Sequence, residues 1–233
     1  MDITDIKKTA KSNVSGNWLK FTLVLFVAGI IISVASGTAF KGDDFIEIIN
    51  GKMPKSNSAL DTLFLILQII VTGPLAIGIA KCAMNVCNNK DYNLNTLFEG
   101  FKDMSRAIIL NLVNGLLIAL WTLLFIVPGI IADLKYSMST YILIDNPEMS
   151  ASDARNKSIE IMQGHLMELF LLRLSFIGWI ILCLLTAGIL FIYVSPYMTV
   201  AQAEFYYRIV GKEKTAEQVN TNEAEINSET TIY

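Results

Sequence analysis

Four long stretches of this chain carry no charged residue, and they constrain its fold more than any other feature. They cover residues 21–40, 62–80, 107–132 and 174–203. A helix needs about 20 mostly apolar residues to cross the hydrocarbon core of a bilayer, which is roughly 30 Å thick. A water-soluble domain has no way to bury four such stretches. The sequence therefore predicts an all-α integral membrane protein.

The overall composition agrees with a lipid environment. Of the 233 residues, 53% are hydrophobic and 17% are charged, whereas an ordinary soluble domain has about 25% charged residues. The net charge of −3 is small, and no basic patch alternates with aromatic residues as in nucleic-acid-binding proteins. We therefore expect the lipid bilayer, and not nucleic acid, as the partner of this chain. The first apolar stretch exceeds the 7–15 residues of a signal-peptide core, so we expect it to stay as a membrane span.

Two of the apolar regions are too long for a single crossing. A straight helix over residues 107–144 would measure roughly 57 Å at about 1.5 Å per residue, and Pro128-Gly129 inside it is a strong turn signal. The same reasoning divides residues 166–209 near Thr186-Ala187-Gly188. We predict a polytopic helix bundle, a single membrane domain over residues 1–211, with about six transmembrane helices in three hairpins. The predicted spans are 19–38, 60–84, 107–126, 129–144, 166–185 and 189–209.

The distribution of basic residues favours six spans over the alternative of four long, tilted ones. With the amino terminus in the cytoplasm, six spans leave only the three lysines of residues 41–55 outside. Cytoplasmic segments of membrane proteins are enriched in lysine and arginine. Four spans would place Arg155, Lys157 and Arg173 outside, whereas six spans count them as cytoplasmic. Both termini are therefore expected in the cytoplasm.

The polar segments between the spans suit amphipathic helices at the membrane surface. Residues 1–17, 85–106 and 150–163 show apolar residues at helical spacing, as interfacial helices do. Ser150 and Asp153 match a capping box at the start of the third helix. Residues 212–233 contain five glutamates and few apolar residues, so we predict a disordered acidic cytoplasmic tail.

Small residues recur at every fourth position of the first span, at Gly29, Ser33 and Gly37. Such a face lets another helix approach closely. Because the chain supplies several helices of its own, we expect this face to pack internally. A homo-oligomer or another membrane protein as partner is the alternative.

Polar side chains within apolar spans are candidate functional positions, because an intramembrane charge is costly. They are Asp61, Asn111, Asn114, Asp133 and Lys135. Asp133 and Lys135 lie on different faces of one helix because they are two residues apart, and Asp61 is a candidate ion-pair partner for Lys135. Asn111 and Asn114 share a face and could form hydrogen bonds between helices. We expect a structural role for this set, with a lined substrate path as the alternative.

Signs of catalysis are missing from the sequence. The single histidine, His165, is at a predicted membrane interface, and no zinc-protease, nucleophile-elbow or phosphate-loop motif occurs. We therefore expect no enzyme, no cofactor and no metal. A non-enzymatic structural, assembly or regulatory membrane component is the first interpretation. A small permease with a polar path through Asp133 and Lys135 is the second, and an enzyme acting on lipid headgroups is the weakest.

Short motifs in the second half of the chain are familiar as a set. They include FIVPGII at 125–131, Lys135-Tyr136-Ser137-Met138, Asp145-Asn146-Pro147, SFIGW at 175–179 and Pro196-Tyr197. With them the chain resembles a bacterial integral membrane family, domain of unknown function 975, over most of its length except residues 41–58 and the tail. The family implies a multi-pass protein of the bacterial plasma membrane. Its function is unassigned, so the resemblance carries over no catalytic residues. The hairpin motif and Ser158, Met162 and Gly164 are more distantly similar to the membrane domain of some glycerophosphodiester phosphodiesterases.

Overall fold

The computed structural model describes residues 2–16, 18–37, 58–186, 188 and 190–230, with side chains from Ala59 onward described as far as Gly211. Every regular element in this part of the chain is a helix, which confirms the all-α class. The helices are α1 (Ile3–Ser15), α2 (Trp18–Ala35), α3 (Ser58–Cys87), α4 (Leu94–Phe98), α5 (Met104–Leu124), α6 (Ile126–Tyr136), α7 (Ser139–Asp145), α8 (Ala151–Ile161), α9 (Leu166–Leu174), α10 (Ile177–Leu185) and α11 (Phe191–Thr230). The lysines of residues 41–55 lie outside the described residues.

Among the described residues, four helical segments are long and apolar enough to cross a membrane. They are Trp18–Ala35, Ala59–Cys87, Met104–Leu124 and Leu166–Leu185, the last of which combines α9 and α10. The chain is therefore an integral membrane protein. The predicted fourth span consists of two short helices, α6 and α7, and the predicted sixth forms the first half of α11. The count of six crossings and their arrangement in three hairpins stay predictions.

The turn after α5 lies at Phe125, and not at Val127-Pro128-Gly129 as the sequence suggests. Phe125 is extended, with φ −155° and ψ 142°, and it separates α5 from α6. Pro128 falls within the first turn of α6, where the missing N–H of proline has no helical acceptor in any case. Proline at this place therefore starts the second helix and does not itself form the turn.

Helices α5 and α6–α7 pack side by side and antiparallel. Near the turn, a methyl group on Gly129 would lie only 2.1 Å from Thr122 Oγ1. Further from the turn, Asn114 Nδ2 donates a hydrogen bond of 2.9 Å to Ser139 Oγ. The glycine thus allows the close contact at the tip, and the asparagine ties the helices together along their length.

A serine from α8 bridges the interruption between α6 and α7. The Ser158 hydroxyl donates to the carbonyl oxygen of Lys135 at 2.7 Å and accepts from the N–H of Met138 at 3.2 Å. Ser158 is fully buried. Backbone groups in an apolar environment need hydrogen-bond partners, so this one side chain replaces bonds that the helix loses where it is interrupted.

Two glycines allow α3 to touch the chain segment around α4. A methyl group on Gly78 would lie 1.9 Å from the carbonyl oxygen of Leu97, and one on Gly100 would lie 2.0 Å from that of Pro74. No side chain fits between these backbones. The segment 85–106 is therefore held by backbone contact, and its helix α4 is much shorter than the predicted amphipathic helix.

The amphipathic helices at residues 1–17 and 150–163 are present, but their apolar faces pack on protein. Ile6, Ala10 and Val14 of α1 belong to the central hydrophobic core. Arg208 of α11 holds α1 in place through an ion pair with Asp5 of 2.6 Å. In α8, the predicted cap is formed, since Ser150 Oγ accepts from the N–H of Asp153 at 3.1 Å.

Helix α11 extends from Phe191 to Thr230. Its glutamates, lysines, alanines and glutamines are strong helix formers. The disordered acidic tail at residues 212–233 stays a prediction.

Within the described residues, the small-residue face of the predicted first span is used in part for internal packing. A methyl group on Gly37 would meet the ring of Phe64 at 2.7 Å, whereas one on Gly29 would meet no described atom within 4 Å. Gly29 therefore faces open space among the described residues, while Val24 and Ala28 of α2 are buried.

We predict that Ser158→Ala lowers the free energy of unfolding by about 1–3 kcal/mol, because it leaves the buried Lys135 carbonyl and the Met138 N–H without a partner. Ser152→Ala on the exposed side of the same helix is the control, with an expected change within about 0.5 kcal/mol. Thermal unfolding of the purified protein in detergent measures both. Equal effects at the two positions would contradict the bridging role of Ser158.

Candidate functional site

A polar cavity of about 230 Å³ is lined by residues of α3, α5, α6, α7, α9 and α11. Three of the polar residues singled out from the sequence, Asn111, Asn114 and Asp133, line it. They are joined by Arg173 and Gln202 and by a set of hydroxyl-bearing residues. That set comprises Tyr136, Ser137, Ser139 and Thr140. Polar groups at this depth in a membrane protein mark a candidate site, since lipid offers them no partners.

An ion pair between two interrupted helices forms one wall of the cavity. Arg173 Nη1 donates a hydrogen bond to Asp133 Oδ2. Asp133 lies seven residues after the start of α6 and Arg173 seven residues after the start of α9, or about 10 Å along each helix. The side chains are 46% and 35% exposed to the cavity and its surroundings. Pairing offsets the cost of two charges within apolar helices.

The side-chain amide of Asn114 donates a hydrogen bond through its nitrogen, but its oxygen accepts none from the described residues. Its Nδ2 donates to Ser139 Oγ at 2.9 Å, and that hydroxyl donates to the carbonyl of Tyr136 at 2.6 Å. The buried Oδ1 of Asn114 has no hydrogen-bond partner in the part of the chain that the structure describes. An unsatisfied acceptor in a polar cavity is a place where a donor of a bound molecule would gain a full hydrogen bond.

The other two residues singled out from the sequence lie away from this cavity. Asp61 is in the first turn of α3, and Lys135 follows Asp133 by two residues and so projects from another face of α6. Among the described residues, Asp61 and Lys135 form no ion pair with each other. The partner of Asp133 is Arg173, and Lys135 is not among the residues that line the cavity.

Arg173 and Gln202 are the site residues that the sequence analysis missed. Arg173 is counted there as a cytoplasmic charge, although it falls within the predicted span 166–185. An arginine eight residues into an apolar span was the signal that could have identified it. Gln202 lies in the last uncharged stretch, and a single amide there does not change the apolar character of the stretch.

His165 takes part in a local contact outside the cavity. Its Nδ1 lies 2.7 Å from Glu168 Oε2 at the start of α9. Across the described ranges, no group of three or more His, Cys, Asp or Glu side chains could hold a metal ion. The polar cavity, with its amides, hydroxyls and one ion pair, is equipped to form hydrogen bonds to a small polar group.

Residues 123–213 match the model of a family described as "Protein of unknown function (DUF975)". The chain is therefore similar to the DUF975 family over this segment. The segment contains Asp133, Ser158, Arg173 and Gln202, whereas Asn111 and Asn114 precede it. No curated protein and no solved structure matches the chain. The likeness to the membrane domain of glycerophosphodiester phosphodiesterases therefore has no support beyond the sequence motifs.

We expect Asp133→Asn or Arg173→Gln alone to destabilise the protein, because each leaves one charge unpaired among apolar helices. Breaking a buried pair costs up to about 3–5 kcal/mol, and partial exposure lowers this value. The double variant Asp133→Asn/Arg173→Gln should be more stable than either single variant. Thermal unfolding in detergent measures this coupling.

The exposed pair Lys157–Glu160, at 3.6 Å, provides the control for that cycle. Its two neutralising variants, Lys157→Gln and Glu160→Gln, should show coupling below about 1 kcal/mol. If the loss of stability in the double variant equals the sum of the losses in the two single variants, the ion pair between Asp133 and Arg173 does not hold α6 to α9.

Proposed function

We propose that the protein is a non-enzymatic, multi-pass component of the bacterial plasma membrane that assembles with, or regulates, another membrane protein. In this proposal six helical crossings place both termini in the cytoplasm, as the excess of basic residues in the predicted inner segments favours. The role is structural, and the ion pair of the cavity serves first to hold the domain together.

One observation carries the proposal, namely an apolar groove of about 600 Å³ between α2 and α11. Leu23, Phe26 and Ile30 line one side of it and Phe191 and Ile192 line the other. Gly29 lies in the same groove, with no atom of the described residues within 4 Å of the position of its missing methyl group.

An uncovered glycine between large apolar side chains suits the close approach of a second transmembrane helix. Membrane helices associate through van der Waals contact at small residues, since lipid gives them no hydrophobic reason to associate. Phe26 is 62% exposed, so its ring is available to such a partner. The partner is either another membrane protein or a second copy of this chain.

A photo-reactive benzoylphenylalanine in place of Phe26, in the membranes of the native host, tests this proposal. We expect a discrete protein adduct, and we expect Gly29→Leu to abolish it because the added side chain fills the groove. The matched control is the same substitution at Leu123 of α5, which is 87% exposed. Adducts with lipid alone at both positions would contradict an assembly role for the groove, and an adduct of twice the chain mass would identify a second copy as the partner.

A permease is the second candidate, and the polar cavity favours it. Asn111 and Gln202 line the cavity, and their side-chain amides can donate and accept hydrogen bonds as groups of a binding site would. Interrupted helices around a central polar site also occur in transporters. If the protein is a permease, Asn111→Leu and Gln202→Leu should abolish a substrate-dependent phenotype and leave folding and the Phe26 adduct unchanged. If its role is assembly, Gly29→Leu should abolish the adduct, and the Asn111 and Gln202 variants should keep the phenotype.

A further inference from the structure

The polar cavity adjoins a second space of opposite character. An apolar groove of about 570 Å³, which we call the side groove, runs between α6, α9, α10 and α11. Its walls are mostly Leu, Ile and Phe side chains, among them Leu134, Phe176 and Ile177. Arg173 and Gln202 line both the side groove and the polar cavity. The two spaces therefore meet at these two residues and form one surface that is polar at one end and apolar at the other.

The charge of the polar end is balanced. Asp133 and Arg173 are the charged residues among those that line it, and they are paired with each other. An anionic group would compete with Asp133 for Arg173 and leave one negative charge without a partner. Charges without partners are costly away from water. The cavity is therefore suited to an uncharged group.

The remaining polar groups suit hydroxyls. Asn114 Oδ1 is an unsatisfied acceptor, while the amides of Asn111 and Gln202 offer both donors and acceptors. A hydroxyl both donates and accepts, so it can bond to either kind of group. A volume of about 230 Å³ corresponds to roughly eight water molecules at about 30 Å³ each, which is room for a small polyol but not for a large headgroup.

We propose that this surface binds one molecule of an uncharged, hydroxyl-bearing lipid of the diacylglycerol type. The hydroxyl end lies in the polar cavity against Asn114 and Gln202, and an acyl chain lies along the side groove past Phe176. The bilayer delivers such a molecule to the groove directly. The two grooves share Phe191 and Ser195 at the start of α11. The inference does not depend on the helix partner at Gly29, since Asn114 and Gln202 do not line the groove at Gly29 and the two proposals are tested separately.

The test uses the full-length protein and dioleoylglycerol as the probe, titrated into detergent and followed by native mass spectrometry. We expect saturable binding of one molecule. Gln202→Leu removes a hydrogen bond to the headgroup and should weaken binding about three- to tenfold, whereas Gln163→Leu, in an exposed turn after α8, should leave it unchanged. Met198→Trp, which fills the side groove, should abolish binding.

Three results would overturn the proposal. Dioleoylglycerol that binds without saturation, or equally to the Gln202→Leu and Gln163→Leu variants, would show that the polar cavity is not used. Binding unaffected by Met198→Trp would exclude the side groove as the place of the acyl chain. Saturable binding of anionic dioleoylphosphatidylglycerol in preference to dioleoylglycerol would show that the headgroup is charged. Because Gln202→Leu and Met198→Trp leave Gly29 and Phe26 in place, none of these results affects the crosslinking test.

Discussion

The ion pair between Asp133 and Arg173 is the interaction on which the rest of this structure depends. Each charge stands about 10 Å along an apolar helix, and a charge without a partner is costly among apolar side chains. Each therefore needs the other, and this need places α6 against α9. Asn114, held to α7 through Ser139, and Gln202 on α11 then come to face the same space. The polar cavity is a consequence of how the charges are neutralised.

Interrupted helices make this arrangement feasible, and each interruption has its own hydrogen-bond solution. Ser158 supplies the partners that Lys135 and Met138 lack. At the second interruption, the Ser175 hydroxyl donates to the carbonyl of Leu172 at 2.7 Å. A helix that is interrupted at these points can place a charged side chain next to the cavity while its buried backbone groups keep hydrogen-bond partners. The DUF975 segment, which contains both interruptions, is thus organised around its polar interior.

The sequence predicts the membrane helices well because a long uncharged stretch has only one stable environment. It also identifies Asn111, Asn114 and Asp133 by their polarity, and the structure places all three at one cavity. The sequence did not identify Arg173 as a site residue, because the count of basic residues assigned it to the cytoplasmic side. The open face at Gly29 depends on which helices meet in three dimensions, and so does the bridge at Ser158. No local pattern in the chain determines such contacts.

The proposal of six crossings has α6 and α7 together cross the bilayer, and single-cysteine labelling tests this most directly. Val127 at the tip beyond α5 is 66% exposed, and Gln163 lies beyond α7 in an exposed turn. In a cysteine-free background, Val127→Cys should react with an impermeant reagent from outside intact cells, and Gln163→Cys only after the cells are opened. Labelling of both positions from the same side would show that this segment does not cross, and would remove the charge pair from the membrane interior.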